Sequence, residues 1–250
     1  MMLGIIQARV SSSRLPGKVL KPILGTPMLV RQMERLKRAK SLDRLVVATS
    51  IDASDDAVAA LAADAGVGCW RGSLDDVLDR FVGTARAHGA RDVVRLTGDC
   101  PLADPDVIDD VTRTYRASGA DYTSNTNPPT FPDGLDVEVM RMAALERAGR
   151  EAQKPSEREH VTLYIHQSPD KFHLTNHAAP QDLSALRWTV DHPEDFAFVT
   201  EVYATLYPHR PDFRMHDILE LLAQRPELRQ GNMHIARNER LQTSLHKHQG

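Results

Sequence analysis

Leu3-Gly4-Ile5-Ile6 runs through Gln7 into Ala8-Arg9-Val10-Ser11-Ser12-Ser13-Arg14-Leu15-Pro16-Gly17-Lys18. An apolar run that ends in a hydroxyl-rich loop with three cations is the pattern of a strand delivering a polyphosphate-binding loop. Backbone N–H groups and the hydroxyls of Ser12 and Ser13 donate to phosphate oxygens, Arg9 and Arg14 grip them bidentately, and Lys18 adds a compact point charge. Two glycine signatures do not fit this loop. A Walker loop needs Gly where Ser12 stands and Ser or Thr where Val19 stands. The dinucleotide fingerprint fails as well, because Gly66-Val67-Gly68 has Arg71 where its third glycine belongs.

Outward from the loop, strand and helix alternate. Residues 43–49 form a buried strand, 54–65 a helix, and Val67 to Trp70 a brief strand. Ser73-Leu74-Asp75-Asp76 resembles a capping box opening a helix through Val77, Leu78, Phe81 and Ala85. Val93 to Thr97 is the next strand, Asp104-Pro105 begins a helix, and Asp121-Tyr122-Thr123 is strand-like. This alternation predicts an α/β fold with a doubly wound, mostly parallel sheet, whose ligands lie beyond the carboxyl ends of the strands. From Asn125 the rhythm changes to loop chemistry, then a strand at Leu135 to Val139, helices near 140–150 and 156–166, and extended pieces near 171–176 and 185–190. The expected organisation is a nucleotide-binding core over 1–124, an insertion or lid over 125–185, and a return to the core over 186–250. Helices are expected at Pro193 to Leu206 and about 215–223, followed by a poorly ordered polar tail over 238–250.

The chain of 250 residues is 41% apolar and 26% charged, as in an ordinary soluble globule. It has no transmembrane run and no secretory leader, so a cytoplasmic location is expected. Cys69 and Cys100 lie far apart and outside any CxxC spacing, so neither a disulfide framework nor a structural zinc site is indicated. The net charge of −3 conceals an asymmetry: residues 1–40 carry nine Lys or Arg against one acid, Glu34. A cationic front on an acidic body suits a small anionic ligand better than a nucleic acid. Arg31, Arg35, Lys37, Arg38 and Lys40 read as the solvated face of a helix.

Two carboxylates fall at strand ends. Asp99 follows the strand ending at Thr97, with Gly98 allowing close backbone approach; Asp104, before Pro105, is the better helix cap. Asp191 ends another extended run, with His192 as the formal cap if Pro193 opens the helix. Metal ligation outweighs capping for both. A nucleoside triphosphate carries about four negative charges, more than three cationic side chains offset, and a magnesium ion on one or two carboxylates closes the gap. The loop and the Asp pair together imply phosphoryl or nucleotidyl transfer.

Arg9-(four residues)-Arg14-Leu15-Pro16-Gly17-Lys18, Gly25-Thr26-Pro27-Met28, Val46-Val47-Ala48-Thr49, Gly98-Asp99 and Val190-Asp191-His192-Pro193-Glu194-Asp195 together resemble the CMP-sugar synthetases. These are the cytidylyltransferases that activate 3-deoxy-manno-octulosonate and sialic acids. Thr97 to Leu102, Asp76 to Arg80 and Glu157 to Val161 make the spore-coat polysaccharide (SpsF-type) branch the nearest resemblance. The resemblance implies a nucleotide-diphospho-sugar transferase-like fold and attack of a sugar hydroxyl on the α-phosphate of CTP, with loss of pyrophosphate. It implies that Arg9, Arg14 and Lys18 bind triphosphate, that Asp99 and Asp191 bind Mg2+, and that Arg71 lines the cytidine pocket; a surface arginine is the alternative for Arg71. It further implies a homodimer joined through 125–185.

Cys100 departs from the octulosonate enzymes, which have an acidic residue there, and sialic acid enzymes lack the Gly-Asp-Cys-Pro pattern. Neither sugar is therefore indicated. Asp133 and Asp136 are expected on the acceptor side, and Arg158 or His160 is a candidate anchor for an acceptor carboxylate. Asp136 and Glu138 also fit one exposed strand face, and His160 a satisfied helical histidine. The competing functions are a metal-dependent glycosyltransferase using a nucleotide-sugar donor and a nucleotide-sensing module without turnover.

Overall fold

The computed structural model describes residues 1–237, so the tail over 238–250 lies outside the described residues. In chain order the elements begin with strand β1 (Met2–Gln7), a small hairpin of β2 (Pro22–Ile23) and β3 (Thr26–Pro27), and helix α1 (Met28–Leu36). There follow β4 (Arg44–Ser50), α2 (Asp56–Asp64), β5 (Gly68–Gly72), α3 (Val77–Ala87), β6 (Asp92–Thr97), α4 (Pro105–Ser118) and β7 (Tyr122–Ser124). The remainder comprises β8 (Glu138–Arg141), α5 (Met142–Glu151), α6 (Pro155–Glu159), α7 (Leu163–His166), β9 (Leu174–Asn176), α8 (Pro193–Leu206) and α9 (Met215–Gln224).

Among the described residues, one seven-stranded sheet has the order β5-β4-β1-β6-β8-β7-β9. β4, β1, β6 and β5 pair in parallel, and β8 alone runs antiparallel to its neighbours β6 and β7. The alternation of side chains along β1 explains its central place. Leu3 and Ile5 enter one apolar cluster with α3, α5 and α7, whereas Met2 and Ile6 enter the other with α1, α2, α4, α8 and α9. A strand apolar on both faces is stable only between helical layers, where each fully buried Ile contributes about 1.5–3 kcal/mol. The doubly wound, mostly parallel α/β sheet is thus the observed fold.

Several local expectations are corrected. The strand foreseen at Leu135 to Val139 begins at Glu138. Ahead of it the Asn125 side-chain amide takes over the pairing, donating to the Leu135 carbonyl and accepting from the Val137 N–H, each at 2.8 Å. The helix foreseen over 156–166 is two short pieces, α6 and α7, separated where Val161 adopts φ 31° and the Thr162 hydroxyl donates to Glu138. No strand forms over 185–190; only Arg187 bridges to Asp133. Asp76, not Ser73, caps α3 by accepting from the Asp79 N–H. Segment 125–185 contributes β8 and β9 to the main sheet, so it is woven into the core layer.

The cationic face of α1 also turns inward. Arg31 stacks 4.3 Å from the Tyr207 ring and Arg35 4.2 Å from Phe213, and Arg35 donates to the Ala103 carbonyl. Between them, Gln32 donates to the Thr97 carbonyl at the end of β6. Both arginines are buried, so they fasten α8 and α9 to the sheet and are not a solvated stripe.

Candidate active site

The loop after β1 is shaped by its glycine. Gly17 takes φ 68°, a left-handed conformation that only Gly adopts without cost, and reverses the chain into a single 3-10 turn over Lys18–Leu20. The turn sends the Lys18 side chain inward. Its ammonium donates to the Val190 carbonyl at 2.7 Å, Asp191 Oδ1 at 2.9 Å and Asp99 Oδ2 at 3.4 Å. Arg14 Nη2 lies 2.6 Å from the same Asp191 oxygen. Two aspartates from distant parts of the chain thus meet two cations of the amino-terminal loop beyond the carboxyl ends of β1 and β6.

Electrostatics keeps Lys18 and Asp191 ionised. Burial draws the Lys18 ammonium down, but Asp99 and Asp191 outweigh it and its pKa rises. Burial likewise pushes the Asp191 carboxyl up, yet Lys18 and Arg14 hold it well below the usual carboxylate range. Both partners are charged at neutral pH.

Close backbone packing brings the aspartates to this point. A Cβ on Gly98 would stand 2.9 Å from Ala8 Cβ and 3.0 Å from the Gln7 carbonyl, so only glycine lets β6 end beside β1. The Asp99 carbonyl then accepts from the Val190 N–H at 2.8 Å, which ties the two aspartate-bearing segments together. As expected, neither aspartate is a cap: Asp104 caps α4, and His192 holds that position at α8.

Around Asp191 lies a buried charge network that the sequence reading missed. Arg187 reaches Asp195 through Nε and Nη2, both at 2.9 Å, Asp133 Oδ2 at 3.1 Å and Asp191 Oδ2 at 3.4 Å. Asp195 also accepts the backbone N–H groups of Asp191 and His192. The legible signal was Asp195 at the third helical position after His192-Pro193, the acidic half of a capping box. Arg187 had no signal, because no regular element relates it to Asp191. Burial, reinforced by Asp136, pushes the Asp133 carboxyl up to about 7, against the pull of Arg237 and Arg187. Asp136 pairs with Arg237 Nη2 at 2.5 Å, and burial raises its carboxyl too. Asp133 and Asp136 therefore border the cluster, already engaged by arginines.

The other residues singled out in the sequence have surroundings of their own. Arg9 lines a cavity of about 390 Å³ with Asp76, Pro155, Arg158 and Glu159. Within that cavity Arg158 is held by Asp76 through three contacts of 2.5–3.0 Å and donates to the Gly149 carbonyl. Arg158, the candidate anchor for an acceptor carboxylate, is thus paired with Asp76 in this structure. Arg71 donates to the Ser50 and Asp52 carbonyls and pairs with Asp56, bracing the turn after β4. Ser12 Oγ accepts from the Leu15 N–H at a long 3.5 Å, and Ser13 is exposed. Glu138 is buried and accepts from Arg95, Tyr122 and Thr162, so it is not on an exposed strand face. The Cys100 thiol is buried 3.4 Å from Asp99 Oδ1, and burial pushes its pKa well up, leaving it neutral.

A loop of cations meeting two aspartates, one after β6 and one just before α8, on a doubly wound sheet defines a nucleotide-handling α/β enzyme. The sequence model of the cytidylyltransferase family matches residues 3–234, and the chain belongs to that family. It is 35% identical to the spore coat polysaccharide biosynthesis protein SpsF of Bacillus subtilis over 90% of this chain and 95% of that protein. A 3-deoxy-manno-octulosonate cytidylyltransferase of Arabidopsis thaliana is 36% identical over 54% of this chain and 47% of its own length. The structure of a cytidylyltransferase from Leptospira borgpetersenii superposes with a TM-score of 0.87 at 31% identity, covering 92% of this chain and 96% of that one. The protein is accordingly a CTP-dependent nucleotidyltransferase.

Proposed function

We propose that the protein transfers CMP from CTP to an acidic or amino sugar, releasing pyrophosphate, as a step in surface polysaccharide or glycan biosynthesis. The observation that carries this reading is the meeting of Arg14, Lys18, Asp99 and Asp191 at one point. The names of SpsF and of the octulosonate cytidylyltransferase support the sugar acceptor.

The donor set fits a magnesium ion. Two carboxylates reach one ammonium from separate segments, and Mg2+ is commonly held by one or two carboxylates together with substrate phosphates and water. Asp99 and Asp191 would hold the ion, which when bound neutralises charge on the α-phosphate. Arg14 and Lys18 orient the triphosphate, with Arg9, Ser12 and Ser13 along the same loop, and offset the negative charge that develops as pyrophosphate departs. The sugar hydroxyl oxygen forms the new bond to the α-phosphorus, its proton passes to solvent water, and the α–β bridging oxygen leaves with its electron pair on pyrophosphate. Asp133 and Asp136 border the acceptor side, and Arg71 contacts the cytosine.

The reading includes a homodimer through 125–185 and a cytoplasmic location beside the CTP pool. Sedimentation of the wild type and of variants in that segment tests the former. The activity is tested by incubating CTP, UTP, ATP and GTP with keto-acid and amino sugars and identifying products by mass spectrometry. Pyrophosphate and a CMP-sugar, formed only with CTP, Mg2+ and a sugar, are expected. A UDP-sugar consumed without pyrophosphate would instead establish a glycosyltransferase.

A further inference from the structure

We propose that Asn232, in the segment after α9, is a positioning residue that fixes the orientation of the Asp191 carboxylate through Asp195 and Arg187. This rests on the cytidylyltransferase reading above. Asn232 is 2% exposed, and both hydrogens of its side-chain amide are used: Nδ2 lies 2.9 Å from Asp195 Oδ1 and 3.0 Å from the Arg187 carbonyl. Asp195 is wholly buried and works as a hub. Its Oδ2 accepts the N–H groups of Asp191 and His192, each at 2.9 Å, while its two oxygens receive the Arg187 fork.

The consequence reaches the proposed magnesium ligand by two routes. Asp195 pins the Asp191 backbone, and Arg187 Nη2, at 3.4 Å, engages Asp191 Oδ2 while Lys18 and Arg14 take Oδ1. The two oxygens of one carboxylate thus face different cations, which sets its rotation. A buried ion pair holds its geometry only when its remaining lone pairs are satisfied, and Asn232 satisfies the one on Asp195 Oδ1. The segment carrying Asn232 is anchored over the site: Arg237 pairs with Asp136 and donates to the Phe131 carbonyl at 3.1 Å.

Groups that orient metal ligands typically change metal affinity or activity by about 10–100-fold when removed. The test is calorimetric titration of Mg2+ into wild type and Asn232→Ala, each saturated with CTP and without a sugar, so that binding is read without turnover. We expect Mg2+ affinity to weaken by about 10–100-fold in the variant, while CTP affinity in EDTA stays within about twofold because Arg14 and Lys18 are untouched. A folded Asn232→Ala protein with wild-type Mg2+ affinity would overturn the proposal, leaving Asn232 a purely structural residue. Should Asn232→Ala not fold, Asn232→Ser, which retains one donor, decides by the same titration: weaker Mg2+ binding supports the proposal and unchanged binding overturns it. A wild-type protein without affinity for CTP and Mg2+ would overturn the functional reading itself.

Discussion

Replacing Lys18 by methionine keeps an unbranched side chain, one atom shorter, and removes its charge and all three N–H donors. In the folded protein those donors serve the Val190 carbonyl at 2.7 Å, Asp191 at 2.9 Å and Asp99 at 3.4 Å. Breaking a buried ion pair from one side costs about 3–5 kcal/mol. Two features reduce that figure here. Asp191 keeps Arg14 and Arg187, and the Asp99 side chain is 29% exposed and can be hydrated. The remaining loss is chiefly the orphaned Val190 carbonyl and the weakened pairing of Asp191, or about 2–3 kcal/mol. For a chain of this size that corresponds to a fall in Tm of about 4–12 °C. Turnover should fall by about 10²–10³, the usual effect of losing one preorganised donor to developing charge. Urea unfolding and continuous pyrophosphate release measure the two effects separately. A Lys18→Met enzyme that turns over within threefold of wild type would refute the placement of Lys18 on the triphosphate, whatever its stability.

Asp99→Asn should abolish pyrophosphate release while moving Tm by no more than about 2 °C, since its carboxylate is partly exposed and its pair with Lys18 is a long 3.4 Å; thermal melting that shows a collapsed fold would undo the ligand role. Gly134→Ala should destabilise by about 2–4 kcal/mol, because φ at this residue is 109° and a Cβ would stand 2.5 Å from the Thr189 nitrogen; an unchanged urea midpoint contradicts this. Asp133 supplies a pH test. Its folded pKa, raised to about 7, lies above the unfolded value, so the native state binds more protons between these values and stability falls as pH rises through that window. Asp133→Asn cannot titrate, so its stability relative to wild type should improve steadily from pH 4 to 7 and level off above; a difference independent of pH would exclude the raised pKa.

The parts of the fold legible in the sequence were those governed by periodicity and caps. β1, β4 and β6 show as apolar runs, and α4 and α8 as proline at the first helical position, because these signals are local. The Asn125 amide substituting for a ladder ahead of β8 is a contact across 10 and 12 residues that no periodicity encodes. The inward turn of Arg31 and Arg35 depended on Tyr207 and Phe213, more than 170 residues away, so a cationic helix face read locally as solvated. At the site, Asp99 was legible because it follows β6, Lys18 because it closes the cationic loop after β1, and Asp191 because it ends an extended run just before the proline that opens α8. Arg187 and Asn232 were not, since their role exists only once the chain has closed around Asp191, and Asp195 showed only as the acidic half of a capping box. The pairing of Arg158 was not legible for the same reason: its partner Asp76 lies 82 residues earlier.

The central claim is that the amino-terminal loop and the aspartates at positions 99 and 191 form one site for CTP with Mg2+. Calorimetric titration of CTP with and without Mg2+, on wild type and on Asp99→Asn/Asp191→Asn, tests it directly. The account predicts one CTP per chain, bound more tightly with Mg2+ in the wild type and no more tightly with it in the double variant. No affinity for CTP, or a Mg2+ effect that survives the loss of both carboxylates, would contradict it.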